Sequence, residues 1–280
     1  MTDDPETLVS TAWLAARLGE VRVLDASWYL PAQKRDAKAE YVAGHIPGAQ
    51  FFDIDEITDQ TNPLPHMAAP VEKFAARVRA LGVGDGQQVV VYDGAGIFSA
   101  ARVWWNFRHM GLTRVAVLDG GMPKWQAEGR AVTDAPPDLR APHLTPRPQP
   151  QLVKSAMQVL EASQTGTAVI IDARSSARFK GDAPEPRVGL RSGHIPASLS
   201  VPFSAVLNPD GTMLEARELR DVFEAAGVDL SRPAVTTCGS GVTAAVLSLA
   251  LERLGHRDHA LYDGSWSDWG GREDLPIEKG

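Results

Sequence analysis

Hydrophobic positions along this chain recur in short runs separated by polar or helical stretches. Residues 21–25, 88–92 and 115–118 in the first half are apolar segments of strand length, as are 168–172, 234–237 and 258–261 in the second. Between them, residues 71–81 and 100–110, then 155–163, 216–226 and 242–254, carry apolar side chains at helical spacing. Strands alternating with helices predict an α/β fold: parallel strands joined by right-handed crossovers, with helices on both faces of each sheet. In such sheets ligands bind beyond the carboxyl ends of the strands.

The pattern also repeats. Leu24-Asp25-Ala26-Ser27 returns as Ile171-Asp172-Ala173-Arg174, and Gly44-His45-Ile46-Pro47 returns as Gly193-His194-Ile195-Pro196. Leu118-Asp119-Gly120-Gly121 with Trp125 returns as Tyr262-Asp263-Gly264-Ser265 with Trp269. Between the copies, Pro136, Pro137, Pro142, Pro146, Pro148 and Pro150 rule out helix or central strand and read as an extended connector. The expected organisation is therefore an N-terminal domain over 1–135, a proline-rich linker over 136–151 and a C-terminal domain over 152–280.

Composition narrows the partners. A formal net charge of -7 without a Lys/Arg cluster argues against a nucleic-acid binder. Hydrophobic residues at 44% and charged residues at 22% suit a globular protein with a full core. No stretch reaches the length of a membrane-spanning helix, and the acidic start Met1-Thr2-Asp3-Asp4 lacks the features of a secretory signal. One cysteine excludes an internal disulfide and a multi-thiolate metal site, so a reducing compartment, the cytoplasm, is expected. Two domains can bury surface against each other, so a monomer is expected.

That cysteine, Cys238, ends the 234–237 strand and opens the loop Cys238-Gly239-Ser240-Gly241-Val242-Thr243 before a helix. Backbone N–H groups at a helix start lack intrahelical partners, and the two glycines let successive N–H groups face one point. A thiolate is stabilised there, which favours a nucleophile over the buried packing thiol that a lone cysteine otherwise suggests. Aligning the copies sets Thr236-Thr237-Cys238-Gly239 against Val91-Tyr92-Asp93-Gly94. With Asp93 in place of the thiol, the first copy is expected to be an inactive scaffold.

The paired His-Ile-Pro stretches, the Tyr-Asp-Gly-Ser-Trp run at 262–266 and the cysteine-terminated strand resemble tandem-domain sulfurtransferases of the rhodanese superfamily. The loop itself is similar to that of the 3-mercaptopyruvate branch, whereas thiosulfate-type members carry two basic residues after the cysteine. The resemblance implies two rhodanese-like domains, no metal and no organic cofactor. It also implies sulfur transfer through a Cys238 persulfide to an acceptor such as a thioredoxin thiol or cyanide. By the same resemblance, Arg178 and Arg187 hold the donor's carboxylate and keto oxygen, and Gly239, Gly241, Val242 and Thr243 supply the cradle around the sulfur. Asp55 and His66 would form a triad with Ser240, in which the aspartate fixes the histidine tautomer and the histidine exchanges a proton with the serine. Against that stand simpler roles: Asp55 capping a helix near Glu56, and solvated loop arginines.

His45 and His194 occur in both copies and are expected to be structural. Trp266 and Trp269 are expected to pack beside the loop, with Ser265 and Trp266 able to line the pocket rim. Rival readings are a thiosulfate:cyanide sulfurtransferase and a sulfur carrier that never turns over a small donor. A phosphatase is disfavoured because Ala244 stands where its loop would end in arginine.

Overall fold

The computed structural model describes residues 2–137 and 141–280. In the first half the elements run β1 (Leu8–Val9), α1 (Thr11–Ala15), β2 (Arg22–Asp25), α2 (Ala37–Ala43), β3 (Gln50–Phe51), α3 (Val71–Ala80), β4 (Val89–Tyr92), α4 (Ser99–His109), β5 (Val115–Leu118) and α5 (Gly121–Ala127). The second half repeats them as β6 (Val153–Lys154), α6 (Ala156–Thr165), β7 (Val169–Asp172), α7 (Ser176–Lys180), β8 (Leu199–Ser200), α8 (Ala216–Ala225), β9 (Ala234–Thr237), α9 (Ala244–Arg253), β10 (His259–Tyr262) and α10 (Ser265–Trp269). Each half holds a 5-stranded sheet, ordered β1-β5-β4-β2-β3 and β6-β10-β9-β7-β8, and the paired strands are parallel. The predicted strands and helices match to within two residues at each end. The two-residue strands β1, β3, β6 and β8 are too short to give a periodic signal.

The strand order fixes where chemistry sits. Asp25 pairs with Tyr92 and Asp172 with Thr237, so β2/β4 and β7/β9 end level. The next residues, Asp93 and Cys238, therefore emerge from the carboxyl ends of central strands. Helices α3 and α8 are amphipathic, burying Phe74 with Val78 and Leu219 with Phe223. Helices α4 and α9 are not: all of Ser99–Phe107 and all of Ala244–Glu252 are buried. A helix buried on every side belongs inside a core, here with Arg102, Asn106, Ser248 and Glu252 enclosed as well, and α9 packs on β9 and β10. Burial on all sides, rather than on one face, sets these two helices apart from α3 and α8.

The histidines of the repeat serve the backbone. His45 pairs by main chain with Thr133 and contacts the Tyr41 carbonyl through Nδ1 at 2.9 Å; His194 pairs with Glu278 and contacts the Phe179 carbonyl at 2.8 Å.

The compact units depart from a contiguous division. The first runs to Asp59 and adds Ala68–Gln149 and Leu207–Met213; the second takes Gln60–Met67, Pro150–Val206 and Leu214–Gly280. Local partners outweigh chain continuity: the Met213 N–H donates to Asp119 Oδ1 at 2.8 Å. The expected linker spans residues 138–140, which lie outside the described residues. Its later part is no free connector, because the Arg147 and Gln149 N–H groups donate to the Met110 and His109 carbonyls. No helix among the described residues is long and apolar enough to cross a membrane.

Candidate active site

Cys238 is only 2% exposed. Its main chain is gripped by the start of α10. The Cys238 N–H donates to Ser265 Oγ at 3.2 Å, and the Trp266 N–H donates to the Cys238 carbonyl at 2.9 Å. The Gly239 carbonyl accepts from both the Ser267 N–H (2.9 Å) and the Ser267 hydroxyl (2.6 Å). Gly241 turns the loop with φ +76°, in the region that favours glycine. Helix α9 then begins with no side-chain cap on Thr243. Among the described residues, no protein acceptor takes the N–H groups of Gly239, Ser240, Val242 or Thr243.

The first copy shows where such N–H groups point. There the Asp93 carboxylate accepts from the Ala95, Phe98 and Ala100 N–H groups, each at 2.8 Å. Burial pushes the Asp93 carboxyl above the usual carboxylate range against the pull of these donors. The same loop position thus gathers N–H groups around the side chain that ends the strand. In the first copy an aspartate fills the cradle with its own charge; in the second, that side chain is a thiol.

Around the Cys238 loop lie charges that the sequence did not pair. Glu185, whose side chain is 2% exposed, bridges two guanidiniums: Arg174 Nη1 at 2.7 Å and Arg178 through Nη2. Arg174 is fully buried, binds Asp172 at 2.7 Å and lies 4.1 Å from the centroid of the Trp266 ring. Burial opposes the Arg174 charge, but the Asp172 and Glu185 carboxylates outweigh it and raise its pKa. Arg178, held by Glu185, reaches the loop. A Cβ on Gly239 would stand 3.1 Å from Arg178 Nη2 and 3.8 Å from Arg187 Nη1. Both predicted anion-binding arginines therefore converge on the residue after the cysteine, and glycine there leaves them room.

His66 and Ser240 also meet. His66 Nδ1 lies 3.0 Å from Ser240 Oγ, which in turn takes Arg187 Nη2 at 3.4 Å. The histidine is buried and holds φ +61°, an unfavourable conformation for a non-glycine residue. Asp55 caps no helix: Asp53 accepts the Asp55 and Glu56 N–H groups in a turn, and Asp55 Oδ2 accepts the Trp28 indole N–H at 3.0 Å. Ser265 and Trp266 do not line a rim, since both are in the core.

A rhodanese-like domain pattern matches this chain twice, over residues 10–128 and 155–272. The chain belongs to the rhodanese family. It is 46% identical over 296 residues to the thiosulfate/3-mercaptopyruvate sulfurtransferase 1, mitochondrial, of Arabidopsis thaliana, covering 98% of this chain and 78% of that one. It is 44% identical over 280 residues to the thiosulfate sulfurtransferase of Bos taurus, covering 94% and 91%. The crystal structure of SseA from Escherichia coli, a 3-mercaptopyruvate sulfotransferase by its description, superposes with a TM-score of 0.85 at 40% identity, over 92% of this chain and 98% of that one. Relatives named for either donor stand at similar identity, so overall likeness does not choose between donors.

In this rhodanese, Glu185, Arg174 and Ser267 escaped the sequence reading. Arg174 left one trace: it replaces Ser27 of the first copy at the end of an apolar run, where a charge needs a buried partner. Glu185 and Ser267 left none: Glu185 lies only 7 and 11 residues from its arginines but in a loop without periodicity, and Ser267 meets Gly239 from 28 residues away.

Proposed function

We propose that this rhodanese transfers sulfur from 3-mercaptopyruvate through a Cys238 persulfide to a thiol or cyanide, releasing pyruvate. The observation that carries the reading is the meeting of Arg178 and Arg187 beside Gly239, on the loop whose counterpart in the first copy gathers N–H groups around Asp93. The Cys238 thiolate attacks the donor thiol sulfur, forming an S–S bond as the C–S bond breaks. The electron pair of that bond passes to carbon as the pyruvate enolate, which then takes a proton. Loop N–H groups stabilise the charge on sulfur, as an oxyanion hole does on oxygen. The acceptor's electron pair next attacks the outer sulfur and returns the thiolate.

Ser240 and His66 suit a proton relay near the departing enolate. The resemblance adds Asp55 as its third member, tested by the activity of Asp55→Asn. The uncharged Gly239 and Ser240 give a thiosulfate dianion no added cation, which favours a keto acid monoanion held by the two arginines. Asp93 makes the N-terminal domain the inactive one. The lone buried cysteine suits a reducing compartment such as the cytoplasm.

Turnover on the two donors tests the reading. kcat/KM for 3-mercaptopyruvate is expected to exceed that for thiosulfate; the reverse order overturns the choice of donor. A second expectation concerns binding. Arg178→Ala and Arg187→Ala should each raise KM for 3-mercaptopyruvate by roughly 10- to 100-fold, the size of one charge-assisted pair. Steady-state kinetics with both variants showing native KM would return these arginines to the role of surface charges.

A further inference from the structure

The two copies of the rhodanese repeat meet their strand-end loops in different ways. In the first, Gly121 holds φ +53° at the start of α5, and the Met122 N–H donates to the Asp93 carbonyl at 3.0 Å. In the second, Ser265 holds φ +50° at the same place, and the Trp266 N–H donates to the Cys238 carbonyl at 2.9 Å. The backbone device is shared, but the residues around it are not. Glycine takes a left-handed conformation freely, whereas serine takes it only with strain. Two positions on, Pro123, with neither N–H nor hydroxyl, is replaced by Ser267, which gives both to the Gly239 carbonyl.

In the active copy alone, then, two hydroxyls join the grip, one of them on a strained backbone. Ser265 Oγ accepts the Cys238 N–H and donates to the Tyr262 carbonyl at 2.8 Å, tying the cysteine to the end of β10. The first copy has no room for this arrangement: a Cβ on Gly121 would lie 2.4 Å from the Asp93 carbonyl oxygen. Strain at a position where the fold itself accepts glycine points to a task beyond folding.

We propose that Ser265 and Ser267 are positioning residues for Cys238. With the Trp266 N–H they fix Cys238 at both its N–H and its carbonyl, and Gly239 at its carbonyl. The Cys238 N–H is consumed behind the loop, and the donors that follow it are left to face the sulfur. In the first copy the carboxylate of Asp93 organises its own loop by accepting those donors, so no hydroxyl grip is needed. A thiol accepts hydrogen bonds weakly, and its loop has to be held from behind.

The inference rests on Cys238 being the nucleophile, and one set of measurements separates the two. Ser265→Gly, Ser267→Ala and Ser267→Thr are compared with the native chain for thermal midpoint, kcat and KM with 3-mercaptopyruvate, and rate of alkylation by iodoacetamide. Because Cys238 is the sole cysteine, alkylation reports on it alone. Ser265→Gly is expected to keep or raise the midpoint, since strain is relieved, while kcat and the alkylation rate fall roughly 10- to 100-fold at little-changed KM. Ser267→Ala should lose kcat likewise, and Ser267→Thr, which keeps the hydroxyl, should restore it. Native kcat and alkylation in Ser265→Gly overturn the proposal, as does Ser267→Thr performing no better than Ser267→Ala. Full activity in Cys238→Ser would instead remove the nucleophile on which it rests.

Discussion

Cys238→Ser should release no pyruvate from 3-mercaptopyruvate above background, a loss on the order of 10⁴-fold or more, as when other covalent nucleophiles are removed. A serine hydroxyl at this site is neutral at pH 7 and needs a base to become nucleophilic. The one imidazole of the site, His66, contacts Ser240. The fold should survive, with stability within about 1 kcal/mol of native, because the substitution barely changes volume and the first copy places Asp93 at the same strand end. Intact-mass measurement after donor treatment gives an independent reading. The native chain gains the mass of one sulfur atom and the variant gains none. Sulfur uptake by Cys238→Ser would mean that the covalent intermediate lies elsewhere.

A large effect on stability is expected at Arg174. Arg174→Met keeps much of the side-chain volume over Trp266 but removes the guanidinium that joins Asp172 to Glu185. Two buried carboxylates then lose a shared cation, and Glu185 keeps only Arg178. Breaking a buried ion pair from one side costs about 3–5 kcal/mol, because the remaining charge is neither solvated nor paired. The loss should appear as a lowered urea midpoint in the transition of the C-terminal domain. Removing one stranded carboxylate in Arg174→Met/Asp172→Asn should recover part of it. A change below 1 kcal/mol in the single variant would show that water reaches the cluster and that the network is held loosely. Since Glu185 also positions Arg178, the same variant is expected to raise KM for the donor.

The glycine at 239 illustrates how sequence and structure share the explanation of one residue. In the chain alone, Gly239 marks a loop that can curl and a position without charge. In space it is also the residue beside which two guanidiniums come to rest, and a side chain there would press on Arg178. A basic residue at 239 and the Arg178 placement thus compete for the same volume as well as the same substrate end. The proposed donor preference rests on both facts together.

His66 shows the opposite balance. Its sequence context, a proline-rich loop, carries no sign of the partner it meets. The contact with Ser240 spans the distance between segments far apart in the chain, and no local pattern encodes it. At Asp55 no helix begins: Asp53, two residues earlier, closes a turn by accepting the Asp55 and Glu56 N–H groups.

The sequence by itself determined the repeated α/β halves, the strand that Cys238 ends, and the replacement of that cysteine by Asp93 in the first copy. These properties are local: apolar periodicity, turn-forming glycines and the chemistry of one side chain are written in neighbouring residues. Only the tertiary structure decided which groups meet the cysteine. Ser265 and Ser267 behind it and Arg178 and Arg187 beside Gly239 are brought to the loop after β9 by a sheet whose strands end level. Such a sheet joins residues remote in sequence, and their pairing depends on register and burial that hydrophobic spacing does not record.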